Sequence, residues 1–179
     1  MTENHELKSL QHELEEARTL LATMKAELSA SNARYSLAVS GTNDGIWDWD
    51  RSSGDVYFSP RWKEILGFAD HELPNILETW SERIHPEDFE RVMEANNRFY
   101  SSDASHFEVE YRLRHKDGSY RWILGRGTCL RDSNGQPVRM AGAHTDITAR
   151  KHAEQQLLES QAQKQAILDG ITVNLVYVD

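Results

Sequence analysis

The chain has 179 residues, of which 39% are hydrophobic, and its 20 basic and 29 acidic side chains give a formal net charge of −9. A mean hydropathy of −0.68 means that much of the chain meets water, although five Trp, six Tyr and five Phe suffice for one compact core. The acidic balance argues against binding to nucleic acid or to an anionic membrane surface, because both require clustered Lys and Arg. No apolar run approaches the ~20 residues of a membrane span, and the polar N-terminus lacks a signal-peptide core. A single cysteine, Cys129, forms no intramolecular disulfide, so we expect a cytoplasmic protein.

The first 30 residues follow a heptad pattern. A spacing of three and four residues keeps one narrow apolar seam on a helix, which a second helix can bury. We interpret residues 1–34 as a coiled-coil helix of a homodimer; the alternative is one amphipathic helix docked on its own domain. The seam consists of Leu7, Leu10, Leu14, Ala17, Leu21, Met24 and Leu28.

Short strands and helices follow. Residues 45–50 and 55–58 flank a polar break and predict a β-hairpin. Pro60 suits the first position of a short helix that ends at Gly67. Pro86 opens a longer helix, to about residue 100, with two acidic residues in its first turn.

Residues 106–145 are β in character. Apolar and charged residues alternate over 107–114, which predicts a strand with one dry and one wet face. The turn sequences Asp117-Gly118 and Asn134-Gly135 separate this strand from two more. We therefore expect a three-stranded antiparallel meander.

After the meander the pattern returns to helix. Residues 149–170 contain no Pro, and no Gly before Gly170, and predict a linker helix with a poorly apolar seam. Residues 171–179 have a strand pattern, and together with 165–168 they loosely repeat the order of 35–39 and 45–50. We expect 171–179 to be the first strand of a second, truncated copy of the domain.

The order of these elements and several local motifs resemble the PAS domain in its PAS–PAC form. The resemblance covers about residues 35–148. It implies an α+β fold, with a five-stranded antiparallel sheet, short helices on one face and a cavity between them. The matching motifs are GIWDWD at 45–50, WKEILGF at 62–68, WSERIHPED at 80–88, YRLRHKDGSYRW at 111–122 and GAHTDIT at 142–148.

The sequence shows no catalytic or metal-binding motif: it has no Gly-rich phosphate loop, no His-Glu-x-x-His and no Cys-x-x-Cys. Haem-binding relatives take their iron ligand from a histidine on the long helix, and 86–100 contains none. Flavin photosensors of the resembled family need an Asn-Cys-Arg motif on an early helix, whereas Cys129 is late in a strand. These departures argue against haem and against a flavin–thiol adduct, and leave open a small metabolite or a noncovalently bound flavin.

Candidate ligand contacts are the inward positions of the long helix and of the strands. Each of them also suits ordinary core packing, and a buried imidazole at 144 could sense pH or bind a ligand. The candidates are Met93, Asn96, Phe107, Tyr111, Trp122, Met140 and His144. Asp146, Ile147 and Thr148 occupy the joint between the last strand and the linker helix, where Asp146 is either a plain N-cap or part of a signal relay.

The resemblance implies a sensory and dimerisation module without catalysis of its own. Members commonly lie in tandem, upstream of a histidine kinase or of a diguanylate cyclase or phosphodiesterase output domain. We therefore expect a homodimer joined by the coiled coil, with a second PAS domain and an output domain further along the chain. The alternative is a ligand-free relay and interaction scaffold with a filled core.

Overall fold

The computed structural model describes the backbone of residues 2–102 and 104–176, and the side chains of residues 10–102 and 104–168. The chain divides after Asn43 into two units, a helical one and one that contains all the strands. In chain order the elements are helix α1 (Thr2–Thr42), strands β1 (Gly45–Asp50) and β2 (Val56–Phe58), helix α2 (Pro60–Ile65), a 3₁₀ turn (Asp70–Glu72), helices α3 (Leu77–Ser81) and α4 (Pro86–Tyr100), strands β3 (Phe107–Arg114), β4 (Tyr120–Arg131) and β5 (Pro137–Asp146), and helix α5 (Thr148–Val176).

The five strands form one antiparallel sheet in the order β2-β1-β5-β4-β3. Helices α2, α3 and α4 lie between β2 and β3 in the chain. Together with one face of the sheet they form a single apolar core. The expected α+β fold, with its hairpin and its three-stranded meander, is confirmed. The buried members of the core are Phe58, Trp62, Ile65, Leu66, Leu73, Ile84, Val92, Val109, Tyr111, Leu113 and Ile123.

Local signals explain where the short helices begin. The Ser59 hydroxyl accepts hydrogen bonds from Trp62 N, at the start of α2, and from Ile46 N on β1, at 3.2 and 2.9 Å. One side chain thus caps α2 and attaches it to the sheet. The His85 ring caps α4 in the same way, because its Nδ1 accepts from Glu87 N at 3.2 Å.

A buried carboxylate attaches α4 to β3. The side chain of Asp88 accepts hydrogen bonds from the backbone N–H and the guanidinium of Arg112 and from the guanidinium of Arg91. Burial alone would raise the pKa of Asp88, but these hydrogen bonds outweigh it and lower the pKa to about 2. The long helix is therefore held at a fixed place against the strand.

Two glycines make room for Trp47 in the middle of the sheet. Gly127 and Gly142 are paired on β4 and β5, and Gly142 is also paired with Trp47 on β1. A Cβ atom on Gly142 would lie 2.6 Å from the Trp47 ring and would overlap the Arg126 carbonyl oxygen. The indole therefore packs directly against backbone, which a larger residue at 142 would prevent.

Helix α1 is longer than the expected 1–34 and ends at Thr42, where Asn43 takes a φ of 58° that terminates a helix. The seam side chains that are described are exposed, and those of the Leu and Met residues range from 52% for Leu14 to 68% for Leu21. Leu7 lies outside the residues whose side chains are described. Among the described residues no helix has the length and apolar character to cross a membrane.

The strand expected at 171–179 is wrong for the residues described, because α5 continues as helix to Val176. Residues 177–179 lie outside the described part of the chain. A strand needs a neighbour to pair its backbone groups, whereas a helix pairs them internally. The five strands of the sheet all come from residues 45–146, so 171–176 take no part in it.

We predict that Gly142→Ala destabilises the sheet unit by about 1–3 kcal/mol, because the new methyl group overpacks the space under Trp47. Urea unfolding followed by circular dichroism measures the change. The matched control is Gly41→Ala, whose Cβ meets nothing within 4 Å and which should leave that unfolding transition in place. Equal stability of the Gly142→Ala protein and the wild type would contradict the packing of Trp47 described above.

Candidate functional site

A cavity of about 50 Å³ lies between the sheet and the helices. Five of the seven predicted contact residues line it, namely Asn96, Phe107, Tyr111, Met140 and His144. The other lining residues are Trp47, Trp49, Val56, Phe58, Leu77, Trp80 and Tyr100.

Two predicted contacts do not line the cavity. Trp122 lies on the opposite face of the sheet, with the guanidinium of Arg112 and the ammonium of Lys151 each 5.3 Å from its ring centre. The reason is strand parity, because Ile123, one position on, is the residue of β4 that enters the core. Met93 is half-buried, and the neighbouring Val92 takes the inward position on α4.

A chain of aromatic hydrogen bonds runs across the wall of this cavity. The Nε1–H of Trp62 on α2 donates to Nδ1 of His144 at 2.7 Å, and Nε2 of the same imidazole is 3.0 Å from the Tyr111 hydroxyl. That hydroxyl also accepts from Trp80 Nε1–H at 2.8 Å. Helices α2 and α3 and strands β3 and β5 therefore share one hydrogen-bonded network.

The network fixes the protonation state of His144. An indole N–H only donates, so the nitrogen that it meets, Nδ1, carries no proton. Burial lowers the pKa of His144 to about 3, so the ring is neutral and its proton is on Nε2. The Nε2–H then donates to the oxygen of Tyr111, and burial raises the pKa of Tyr111, which keeps its own proton.

Two polar groups beside the network are unpartnered within the described part of the chain. Trp47 Nε1 is buried without an acceptor. Asn96 is only 6% exposed and lines the cavity, yet its carboxamide makes no hydrogen bond with a described residue. Unlike Trp47 Nε1, the amide atoms of Asn96 are not completely buried, so they can contact a molecule in the cavity, which makes Asn96 the most informative side chain of the cavity.

Sequence reasoning missed the tryptophans as cavity residues. Trp47, Trp49 and Trp80 line the cavity and Trp62 orients His144. Two signals were available: Trp47 and Trp49 alternate in a strand, and buried indoles need acceptors for their N–H groups. Gly127 and Gly142, inside strands, also indicate a close approach by a large side chain.

The predicted relay residues lie where β5 meets α5. Ile147 N donates to Trp122 O and Trp122 N donates to the Thr148 hydroxyl, both at 2.9 Å, so the start of α5 is bonded to β4. Asp146 is exposed, and its carboxylate accepts from Thr148 N, two residues on, at 2.8 Å, which is an Asx turn directly before the helix.

A second attachment of α5 was not predicted. Glu110 on β3 accepts from Arg150 and forms an ion pair with Lys151 at 2.6 Å. These hydrogen bonds lower the pKa of Glu110, and Lys151 also lies over the ring of Trp122. Glu110 directly precedes Tyr111, so neighbouring residues of one strand contact α5 on one face and the cavity network on the other.

Within the described residues no group of three or more His, Cys, Asp or Glu side chains could hold a metal ion. Cys129 is a half-buried free thiol on β4 and does not line the cavity.

Comparison with known proteins gives one family match, to a model described as the PAS fold over residues 55–144. A structure of a sensory box histidine kinase/response regulator from Burkholderia thailandensis is 41% identical, with a TM-score of 0.65 over 74% of this chain and 98% of that one. The N-terminal domain of a diguanylate cyclase with a PAS/PAC sensor, from Marinobacter aquaeolei, is 27% identical, with a TM-score of 0.54 over 61% of this chain and 99% of that one.

Two of the curated relatives are much longer proteins that carry a cyclase or a kinase name. The probable diguanylate cyclase DgcE of Escherichia coli is 27% identical over 82% of this chain and 13% of its own length. The blue-light-activated histidine kinase of Brucella anthropi is 28% identical over 79% of this chain and 27% of its own length. The chain thus spans only a small share of the length of these two curated relatives.

We predict that His144 stays neutral, as the Nε2–H form, from about pH 8 to about pH 5. The unfolded chain takes up this proton near pH 6.5 and the folded chain near pH 3. The contribution of His144 to the stability of the fold is therefore complete above about pH 6.5 and is lost as the pH falls from there to about 3. Proton–nitrogen correlation spectra of the imidazoles measure the state, with the urea-unfolded chain as the titrating control. A His144 signal that moves between pH 8 and pH 5 would contradict the network.

Proposed function

Because this chain belongs to the PAS-fold family and is a sensory module of signal transduction, we propose that it relays the state of its cavity to helix α5. The observation that carries this proposal is the adjacency of Tyr111 and Glu110 on β3. Tyr111 belongs to the hydrogen-bonded wall of the cavity and Glu110 holds the first turn of α5. A change in the cavity that moves Tyr111 therefore also moves the neighbouring residue Glu110, and with it the first turn of α5.

The contacts at the start of α5 favour a helix that can take two positions against the sheet rather than one fixed position. Two backbone-linked hydrogen bonds at Ile147 and Thr148 fix where α5 starts. The ion pairs of Glu110 lie at the surface and are individually weak, so a small change in β3 releases them while the start of α5 stays attached. A ligand that prefers one arrangement of the sheet would then shift the population of helix positions.

A parallel homodimer is part of the proposal. The seam side chains of α1 recur every three and four residues and are more than half exposed in the single chain from Leu10 onward, Ala17 being exposed as well. A second copy of α1 is the simplest partner that buries such a seam. Helix α5 would then emerge in two copies and carry the change onward.

The output of the protein is proposed from its relatives. The similar kinase and cyclase proteins are several times longer than the part this chain covers. We propose that this chain is cytoplasmic and belongs to a longer protein with such a catalytic domain. We also propose that a second PAS domain lies between the two. The chain itself supplies detection and dimerisation rather than catalysis.

The size and chemistry of the cavity favour a small metabolite over the larger cofactors. A cavity of about 50 Å³ favours a molecule of a few non-hydrogen atoms over the three fused rings of a flavin. Both ring nitrogens of His144 are already hydrogen-bonded, so iron ligation there would break the network. A core this nearly filled also favours the alternative, a ligand-free relay that responds to a partner.

We predict that Glu110→Gln loosens α5 without unfolding the domain. The loss of the charge weakens both ion pairs, so the amide protons of 150–154 should exchange about two- to fivefold faster. Hydrogen exchange followed by mass spectrometry measures this. The matched control is Glu108→Gln, which removes an exposed ion pair with Arg126 on the same face of β3 and should leave α5 unchanged. Equal exchange in the two variants would contradict the attachment.

We also predict that Leu14→Asp with Leu21→Asp converts the purified chain from dimer to monomer, because two charges per helix would be buried in the seam. Native mass spectrometry measures the assembly. The matched control is Ala22→Asp with Ser29→Asp, which adds the same charge at the same spacing away from the seam. A dimer that persists in the seam variant would contradict the coiled coil.

A further inference from the structure

The hydrogen-bond inventory of the cavity specifies the kind of molecule that fits it. Resting on the proposed sensory function, we propose that the cavity binds a small uncharged molecule with a carbonyl-type acceptor, held by the hydroxyl of Tyr111 and the carboxamide of Asn96. Such a molecule completes two sets of hydrogen bonds that the described residues leave open.

The first open group is the hydroxyl proton of Tyr111. The oxygen of Tyr111 accepts from Trp80 Nε1–H at 2.8 Å and from Nε2–H of the neutral His144 at 3.0 Å. Both neighbours donate, so neither can receive the proton of Tyr111 itself. The network therefore ends in one unused O–H donor at a cavity-lining residue.

The second open group is the carboxamide of Asn96. It is nine-tenths buried, lines the cavity and has no hydrogen bond with a described residue. A carboxamide offers two N–H donors and one acceptor oxygen, so it suits a carbonyl and also an amide. An aliphatic side chain here would fill the same space without a polar group that needs partners, which indicates a role for the amide in recognition.

The residues that line the cavity determine the charge and the size of the molecule that it can bind. The lining residues include no Asp, Glu, Lys or Arg, and the only titratable base among them, His144, is neutral. A charged ligand would lose its hydration without an opposite charge to meet, so the site selects uncharged molecules. A volume of about 50 Å³ is small for a binding site, so the ligand has only a few non-hydrogen atoms.

The test is a titration of the purified 179-residue chain with acetone, and separately with isobutene. The two probes have nearly the same shape, but only acetone has an acceptor oxygen. The chain carries its own reporters after ¹³C-methyl labelling of methionine, because Met140 lines the cavity and Met93 does not. We expect acetone to shift the Met140 signal in a saturable way and to leave Met93 in place, with isobutene binding about tenfold more weakly.

Variants assign the recognition to named groups. Asn96→Leu keeps the side-chain size and removes the amide, so it should weaken acetone binding about tenfold and raise the melting temperature of the free chain. Asn97→Leu, at the exposed neighbouring position, is the matched control and should bind acetone like the wild type. Tyr111→Phe should weaken acetone binding in the same direction as Asn96→Leu.

Three results would overturn the proposal. They are equal binding of acetone and isobutene, unchanged acetone binding by Asn96→Leu, and a Met140 signal that neither probe moves, which would leave water as the only occupant. The relay is read separately, from the amide signals of 149–152 in proton–nitrogen spectra of a ¹⁵N-labelled sample titrated with the same probes. If Met140 shifts and these amides do not, the ligand site stands and the proposed relay fails. If no probe binds but Glu110→Gln loosens α5, the ligand class fails and the attachment stands.

Discussion

The hydrogen bond from Trp62 to His144 is the interaction on which the rest of the domain depends. The indole N–H of Trp62 donates to Nδ1 of the imidazole. Since Nδ1 accepts, it carries no proton, and the proton of the neutral ring is on Nε2. The proton on the other nitrogen then meets Tyr111, and Trp80 donates to the same oxygen. One contact between α2 and β5 thus sets the polarity of the cavity wall.

Burial makes this arrangement cooperative. A neutral imidazole among indole rings is tolerated only because both of its nitrogens are hydrogen-bonded. Removing Trp62 or Tyr111 would leave a buried polar atom without a partner, so the groups stabilise the fold as a unit. The same groups line the cavity, so a change in its contents acts on side chains that also hold the sheet to the helices.

Much of the fold could be predicted from the sequence, because its signals are local. Alternation over 107–114, the Asp117-Gly118 turn and the prolines at 60 and 86 each act within a few residues. The C-terminal segment shows the limit of such patterns. The β-branched residues of 171–176 suit a strand, but a strand forms only where a partner strand is present, and these residues are helical.

The candidate site was predicted less completely, because it depends on distant pairs. Five of seven contacts followed from strand parity and helix spacing, whereas Trp122 was placed on the wrong face, since β4 is apolar on both faces and its parity is ambiguous. The hydrogen bonds of Trp62 and Trp80 join residues that are 82 and 31 positions apart. The ion pairs of Glu110 join residues from separate elements. No local pattern reveals such pairs before the register of the sheet is known.

The position of Trp122 has a spectroscopic consequence. Of the five tryptophans, the other four line the cavity or contact its histidine, while Trp122 is on the opposite face, where Arg112 and Lys151 both contact its ring. Lys151 belongs to the first turns of α5, so the cation over this indole departs whenever the helix lifts from the sheet. With the other indoles replaced by phenylalanine wherever folding allows, the emission of Trp122 would report the docking of α5 in real time, without an added dye.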